Sequence, residues 1–161
     1  MAKAEFTFSD FISTVSPEHS SFIEKLHEQL IDLGCDLMIK EAKSGYSASY
    51  KWKKKTVMNW VFRKSGIFAR IYGDHAGQYE DILANLPTAM QSKMSTSRDC
   101  KRLLDPTACS DTCVQGFIYN LNGNTLRKCR NDGMFFSLTD ETGEHIAGLV
   151  CAEIAVRKSA S

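Results

Sequence analysis

The sequence predicts a single α+β domain in which helices pack on an antiparallel β-sheet. Three observations support this prediction: an amphipathic helical pattern near the N-terminus, two groups of three short alternating segments separated by turn residues, and a helical pattern after each group. The chain has 161 residues, 43% of them hydrophobic and 24% charged, so it is long enough to bury one substantial core. We therefore treat residues 1–161 as one domain, with residues 1–15 as an N-terminal arm and residues 157–161 as a frayed tail.

The first predicted helix has recognisable start and stop signals. Ser16 suits the N-cap position, and Pro17 suits the first helical position because its missing N–H would have no partner there. Gly34 is placed to end the helix. The apolar residues between these signals share one face: Phe22, Ile23, Leu26, Leu30 and Leu33. We expect this face to cover part of the sheet.

Residues 46–52, 57–62 and 67–72 form the first group of predicted strands. Apolar and polar residues alternate in the first of these segments, as they do in a half-buried strand. Polar turns separate the three segments, which indicates an antiparallel meander, and a short strand is expected before it near Leu37 and Ile39. Two helical segments follow, over residues 77–86 and from Pro87 to about Met94.

The second group of predicted strands comprises residues 116–121, 125–130 and 134–138. The pairs Asn122-Gly123 and Asp132-Gly133 separate them, and both are strong hairpin signals because glycine adopts positive φ without steric cost. A last helix follows a cap at Thr139 or Asp140. The sheet is therefore expected to consist of two three-stranded meanders.

An internal repeat is one hypothesis for the likeness of the two groups. Five residues of the first group match five of the second: Tyr50, Thr56, Arg63, Gly66 and Phe68 match Tyr119, Thr125, Arg130, Gly133 and Phe135. The alternative is that any two meanders share this alternation and a turn glycine. The α+β prediction does not depend on the choice.

Four cysteines, Cys100, Cys109, Cys113 and Cys129, form a segment with the spacing C-x8-C-x3-C-x15-C. A structural zinc bound by four thiolates is one interpretation, and the neighbouring lysines and arginines would help to keep the thiols ionised. Unliganded thiols and a disulfide or redox pair are the alternatives, since the longer gaps fit no standard zinc finger. Cys35 and Cys151 lie apart among apolar neighbours and are expected in the core.

Several motifs together resemble a known group of proteins. They are Tyr-Lys-Trp at residues 50–52, Asn-Trp-Val-Phe-Arg-Lys-Ser-Gly at 59–66, Arg-Ile-Tyr-Gly at 70–73, Asn-Leu-Pro at 85–87 and the cysteine segment. Over roughly residues 22–156 the chain resembles an uncharacterised family of small bacterial proteins, mostly from Firmicutes. The resemblance implies a bacterial, cytosolic source. It implies no activity and no residue role.

A basic, aromatic stretch is the second candidate site. Between residues 51 and 70 the chain has seven cations and no acid, interleaved with aromatic residues. Such a sheet surface can bind single-stranded nucleic acid through phosphate contacts and base stacking, while the alternative is a solvated face. The candidate residues are Lys51, Trp52, Lys53, Lys54, Lys55, Arg63, Lys64 and Arg70.

No catalytic residue is assigned from the sequence. The chain has no glycine-rich phosphate loop and no nucleophile elbow, and Asp74-His75 is interpreted as a plain loop. The net charge of +1, the lack of a membrane-spanning apolar run and the absence of a signal peptide predict a cytoplasmic monomer or homodimer without a membrane partner. We expect a non-catalytic binding or structural module with a zinc site. A thiol-based redox sensor or enzyme using Cys109 and Cys113, and a single-stranded nucleic-acid binder, are the alternatives.

Overall fold

Four consecutive strands and one distant strand form the main sheet of the protein. The computed structural model describes residues 6–43, 45–105, 107 and 116–160. Within these ranges the strands are β1 (Asp36–Ala42), β2 (Gly45–Trp52), β3 (Lys55–Arg63), β4 (Gly66–Ile71), β5 (Phe117–Leu121), β6 (Asn124–Lys128) and β7 (Phe135–Ser137). The helices are α1 (Phe8–Ile12), α2 (Pro17–Asp32), α3 (Glu80–Ala84), α4 (Thr88–Thr96), α5 (Lys101–Leu104) and α6 (Gly143–Ala160), with a 3₁₀ turn at Ala76–Gln78. The predicted α+β class is confirmed.

The strands lie in two antiparallel sheets. The larger sheet has the order β1-β2-β3-β4-β7, and β5 and β6 form a separate hairpin. The antiparallel sheet is as predicted, but the grouping differs from two three-stranded meanders, because β7 pairs with β4 instead of β6. The internal repeat stays a hypothesis.

The two glycine-containing turns of the second half have different roles. Asn122 and Gly123 have φ values of 52° and 84°, as a two-residue hairpin turn requires, and they join β5 to β6. Gly133 instead lies in a turn closed by its N–H on the Cys129 carbonyl. A Cβ atom there would lie 2.7 Å from the Phe117 ring. Glycine is therefore needed at position 133 for close packing, and the chain continues into β7, which pairs with β4 and not with β6.

Helices α2 and α6 supply much of the core that the large sheet covers. Ile23, Leu26 and Leu30 of α2 are buried, which confirms the predicted apolar face. The helix ends as predicted: Gly34 has a φ of 98°, and the Cys35 N–H donates to the Leu30 carbonyl at 2.9 Å. The buried apolar residues of α6 are Ile146, Leu149, Val150 and Ile154. These side chains pack together in one hydrophobic cluster with the inward-facing strand residues.

A bulge in β3 adds one residue to this core. The register between β2 and β3 shifts between Tyr50 and Lys51, and both Val57 and Met58 are fully buried. A bulge bends a strand and leaves backbone groups out of the ladder. Arg157 binds the carbonyl oxygens of the two residues before the bulge, Lys55 and Thr56.

Both chain ends of the described region are tied to the body. Phe11 of α1 is fully buried, so the N-terminal arm contributes to the core from its middle. Helix α6 continues to Ala160, beyond the predicted start of the frayed tail at residue 157, because Arg157 is buried and bonded to the sheet. None of the described helices has both the length and the apolar character that crossing a bilayer requires.

Candidate functional site

One face of the large sheet remains accessible. Along β4 the residues alternate between buried and half-exposed, and the buried residues join the core. The other face carries half-exposed residues of two strands, Phe68 and Arg70 of β4 and Phe135 of β7, together with Arg63, which is exposed at the end of β3. We call the surface formed by these four residues the open face.

Phe68 and Phe135 form the aromatic centre of the open face. Their ring centroids are 4.9 Å apart and the rings are 12° from parallel. The register explains the pairing, since Phe68 lies opposite Ser137 and Arg70 lies opposite Phe135, which puts the two phenylalanines on one diagonal of the same face. Both rings are only half-buried, so they present apolar surface to solvent.

Two arginines lie against this aromatic pair. The guanidinium carbon of Arg70 is 5.0 Å from the centroid of the Phe135 ring, and that of Arg63 is 5.4 Å from it. Arg70 also donates from Nε to the Asn131 carbonyl at 2.9 Å. Cation–π contacts and this hydrogen bond hold the two side chains on the sheet surface. The open face is therefore a preorganised set of cations and aromatic rings.

A third arginine–aromatic contact lies where β4 ends. The guanidinium carbon of Arg130 is 5.0 Å from the Tyr72 ring centroid, and Arg130 forms an ion pair with Asp74. Asn59 donates to the Tyr72 hydroxyl at 3.0 Å, while its buried Oδ1 atom has no hydrogen-bond partner. The basic, aromatic character thus extends along the sheet from β7 to the loop after β4.

A cleft of about 310 Å³ adjoins the open face at Phe135. Its wall contains one ion pair, in which Arg98 Nε lies 3.0 Å from Asp132 Oδ2. The side chain of Arg98 is 68% exposed and that of Asp132 is 33% exposed. The lining residues are Lys93, Thr96, Ser97, Arg98, Asp132 and Phe135. The cleft is therefore polar and mainly cationic, with one carboxylate and one aromatic side chain.

Of the residues predicted for a nucleic-acid site, Arg63 and Arg70 come together on the open face. Lys51 lies on β2 opposite Thr56 and is half-exposed. The other predicted cations, Lys53, Lys54, Lys55 and Lys64, lie in exposed turns or at exposed strand ends.

Trp52 is not part of the open face. It packs against the hydrophobic core, and Lys53 Nζ lies 4.7 Å from its ring centroid. Lys53 and Lys54 form the turn after β2 with φ values of 49° and 70°. The lysine run is therefore a solvated turn, as the alternative interpretation had it.

The second half of the chain contributes residues to the site that were not predicted from the sequence. Phe135, Arg98 and Asp132 were not candidates for a nucleic-acid site, although each lies beside Arg70 or its neighbours in the structure. The periodicity of residues 134–138 did place Phe135 in a strand. No sequence signal identified β4 as the partner of that strand.

The cysteine segment is described only in part. Cys109 and Cys113 lie outside the described residues, whereas Cys100 and Cys129 are free thiols within them. An isolated bridge pairs Asp99 with Lys128, and the Cys100 N–H donates to the Arg127 carbonyl at 2.9 Å. Cys100 and Cys129 are each one residue from this bridge, which puts them on the same side of the ladder as diagonal neighbours.

Gly116 packs closely between Cys100 and Lys128. The Gly116 N–H donates to Cys100 Sγ at 3.3 Å. A Cβ atom at position 116 would lie 1.9 Å from the Lys128 carbonyl oxygen, so only glycine fits beside this part of the backbone. Among the described residues, no group of three or more His, Cys, Asp or Glu side chains is arranged to hold a metal ion.

Two buried charged residues, Glu153 and Arg157, belong to a network centred on Glu153. The carboxylate of Glu153 accepts from Tyr79 OH at 2.8 Å, from Arg157 Nε at 2.7 Å and from the His75 backbone N–H at 3.0 Å. His75 Nδ1 lies 2.7 Å from Oε2 of the same carboxylate. Arg157 also reaches the carboxylate of Asp74 at 3.4 Å. The loop containing Asp74 and His75 is thus fixed to α6, which a plain loop would not be.

The pKa values in this network follow from its hydrogen bonds. Burial alone would raise the pKa of Glu153, but hydrogen bonds from His75, Arg157 and Tyr79 outweigh burial and lower it below the usual value. Burial and the neighbouring carboxylate raise the pKa of Tyr79. Glu153 is therefore a buried anion that joins α6 to the loop containing His75 and to Tyr79, and we assign it a structural role.

No family model, curated protein or solved structure matches this chain. The resemblance to the family of small bacterial proteins therefore stays a prediction. The features of the molecule that bear on its function are the open face, the cleft beside it and the cysteine segment.

Proposed function

We propose that the protein is a non-catalytic binding module that holds single-stranded nucleic acid on the open face. The observation that carries this proposal is the stacked pair Phe68 and Phe135 with Arg63 and Arg70 held against it. Single-stranded nucleic acids bind to surfaces that combine cations for the phosphates with aromatic rings for the bases.

The arginines of the open face are suited to bind phosphate groups. A guanidinium group presents a planar fork of donors that matches two phosphate oxygens. Arg63 and Arg70 come from neighbouring strands, and both guanidinium groups lie against Phe135. Two phosphates of an extended strand would therefore find two guanidinium groups beside the aromatic pair.

The distribution of charge supports the same proposal. The net charge of the chain is only +1, yet residues 51–70 contain no acid, and two of their seven cations, Arg63 and Arg70, lie on the open face. A local cationic surface on a nearly neutral protein attracts a polyanion to one face. The half-exposed rings at the centre of the open face can stack on unpaired bases. A double helix does not offer this contact, because its bases are stacked inside.

The test measures binding of a fluorescently labelled, mixed-sequence single-stranded decanucleotide by anisotropy at several salt concentrations. We expect the logarithm of the association constant to fall linearly with the logarithm of the salt concentration. Replacing Arg70 by Gln removes one phosphate contact, so the slope should become shallower by about 0.7. Lys25→Gln on the exposed side of α2 is the matched control and should leave the slope unchanged. Affinity that does not change with salt would refute the proposal.

A structural zinc site is the second candidate, because the ladder around Asp99 and Lys128 puts Cys100 and Cys129 on one side. A hydrogen bond from a backbone N–H to sulfur, as Gly116 gives Cys100, stabilises a metal-bound thiolate. Zinc would be held by these two residues with Cys109 and Cys113, as a closed site of the structural type. Elemental analysis should find about one zinc per chain, and Cys129→Ser should lower that content. A content well below one in the unaltered protein would exclude this site.

A further inference from the structure

The cleft beside Phe135 contains a carboxylate. A surface that bound only phosphates would not be expected to have one. Asp132 lies among Lys93, Arg98 and Phe135 in the wall of this cleft. A carboxylate repels phosphate but accepts hydrogen bonds from the donor atoms of a base. The Asp132 carboxylate therefore favours a nucleic-acid base as the ligand of the cleft. The cations around Asp132 favour a base that also carries a hydrogen-bond acceptor.

The four common bases differ in the donors that they offer to a carboxylate. Guanine presents two adjacent donors, N1–H and the N2 amino group, which match the two oxygens of a carboxylate. Adenine and cytosine each place a ring nitrogen acceptor beside their amino group, and thymine and uracil have one N–H between two carbonyl oxygens. Only guanine therefore forms two parallel hydrogen bonds with Asp132, and its O6 atom then faces a cation.

We infer that this cleft binds a guanine base of the strand held on the open face, an inference that rests on the function proposed above. Asp132 accepts hydrogen bonds from N1–H and N2–H of the base, Lys93 or Arg98 donates to O6, and the Phe135 side chain provides an apolar wall. The cleft volume of 310 Å³ lies at the lower end of the range for ligand pockets, about 300–1,000 Å³. One base therefore fits it, and the phosphates remain on the arginines outside.

The ion pair between Arg98 and Asp132 does not prevent this binding. Arg98 is largely exposed, and an ion pair at the surface contributes little to stability because solvent screens it. The pair orients the carboxylate before the base arrives, and the exposed guanidinium group of Arg98 can turn from the carboxylate to the base. The base thus exchanges a weak contact for two hydrogen bonds in a partly enclosed site.

The experiment compares three single-stranded decanucleotides: oligothymidylate, the same strand with one central guanine, and the same strand with hypoxanthine in place of that guanine. Hypoxanthine lacks the N2 amino group and retains N1–H and O6. We expect the guanine strand to bind roughly tenfold more tightly than oligothymidylate, with the hypoxanthine strand between them. Asp132→Asn should abolish the preference, while Asp81→Asn, an exposed carboxylate on α3, should retain it.

The outcomes separate this inference from the function on which it rests. Equal affinity of the unaltered protein for all three strands, with salt-dependent binding retained, overturns the guanine site and leaves the open face as a general binder. Absence of binding to every strand overturns both. The hypoxanthine comparison needs no variant, so the test remains decisive even where Asp132→Asn disturbs the loop.

Discussion

Glu153 accepts a hydrogen bond from the backbone of His75 and lies 2.7 Å from its ring, although the two residues are 78 positions apart in the chain. The contact joins the last helix to the loop that follows β4. The side chain of Glu153 has no solvent exposure, whereas that of His75 is 32% exposed. A buried carboxylate is tolerated only where donors surround it, and here Tyr79 and Arg157 complete the set.

We predict that Glu153→Gln destabilises the protein by about 3 kcal/mol, because the substitution leaves the buried guanidinium of Arg157 without its nearest charge partner. Urea unfolding followed by circular dichroism measures the change. The matched control is Glu144→Gln on the same helix, where the side chain is 82% exposed and the change should stay within about 0.5 kcal/mol.

The unaltered protein and Glu153→Gln also test how the free energy of unfolding depends on pH. Because the pKa of Glu153 is lowered on folding, its contribution to stability is fully present above the pKa in the unfolded chain and is lost as the pH falls through the lower, folded value. The difference in unfolding free energy between the unaltered protein and Glu153→Gln should therefore shrink in the acid range. A difference that stays constant down to pH 3 would contradict the role assigned to the carboxylate.

The aromatic pair of the open face should contribute directly to binding. Phe135→Leu keeps an apolar side chain but removes the ring, so affinity for a single strand should fall by about 1–3 kcal/mol, the usual contribution of one stacked base. Anisotropy at one fixed salt concentration measures the loss. Phe8→Leu is the control, since Phe8 is also half-exposed but stacks on His27 away from the open face. Equal losses in both variants would count against the proposed surface.

Lys128 should be needed for the position of the β5–β6 hairpin. Its buried ammonium group donates to the carbonyl oxygens of Ser95 and Ser97 and to the carboxylate of Asp99, at 2.8–2.9 Å. Lys128→Met leaves two carbonyls at the end of α4 without this donor, and we expect a loss of about 1–3 kcal/mol. Thermal or urea unfolding tests this, with Lys25→Met on α2 as the exposed control. A loss no larger than that of the control would show that water replaces the ammonium group.

The thiol of Cys35 should be unreactive in the folded protein. Burial raises its pKa to about 11, so almost none of the reactive thiolate is present near neutral pH. Alkylation with iodoacetamide at pH 7.5, followed by mass spectrometry of peptides, should modify Cys35 only after addition of denaturant. Cys109 and Cys113 provide the comparison, because a redox function requires them to react faster than Cys35. Rates as slow as that of Cys35 would remove the redox alternative.

The elements that the sequence predicted well are those defined by neighbours in the chain. The start and end of α2 depend on Pro17 and Gly34 at its two ends, and the β5–β6 turn depends on the positive φ of Asn122 and Gly123. Each of these signals acts within a few residues, so it can be recognised without knowing the rest of the fold.

Only part of the candidate site could be predicted from the sequence. Arg63 and Arg70 belong to the basic stretch that drew attention in the sequence, and both lie on the open face. Phe135 and Asp132 come from a segment more than 60 residues further on, and they reach the site because β7 pairs with β4. The Asp132-Gly133 turn resembled a hairpin signal, and its actual role became clear only from the packing of Phe117 against Gly133.

The sequence by itself determined the α+β class, helix α2 and its ends, the β5–β6 turn and the concentration of cations before residue 71. Tertiary structure alone decided that β7 completes the large sheet, that Trp52 joins the core while Phe68 faces solvent, and that Glu153 binds the loop at His75. The physical reason is the range of the interactions involved. Caps and turns are governed by local backbone conformation, whereas strand partners and buried ion pairs depend on which distant surfaces fit together once the core has packed.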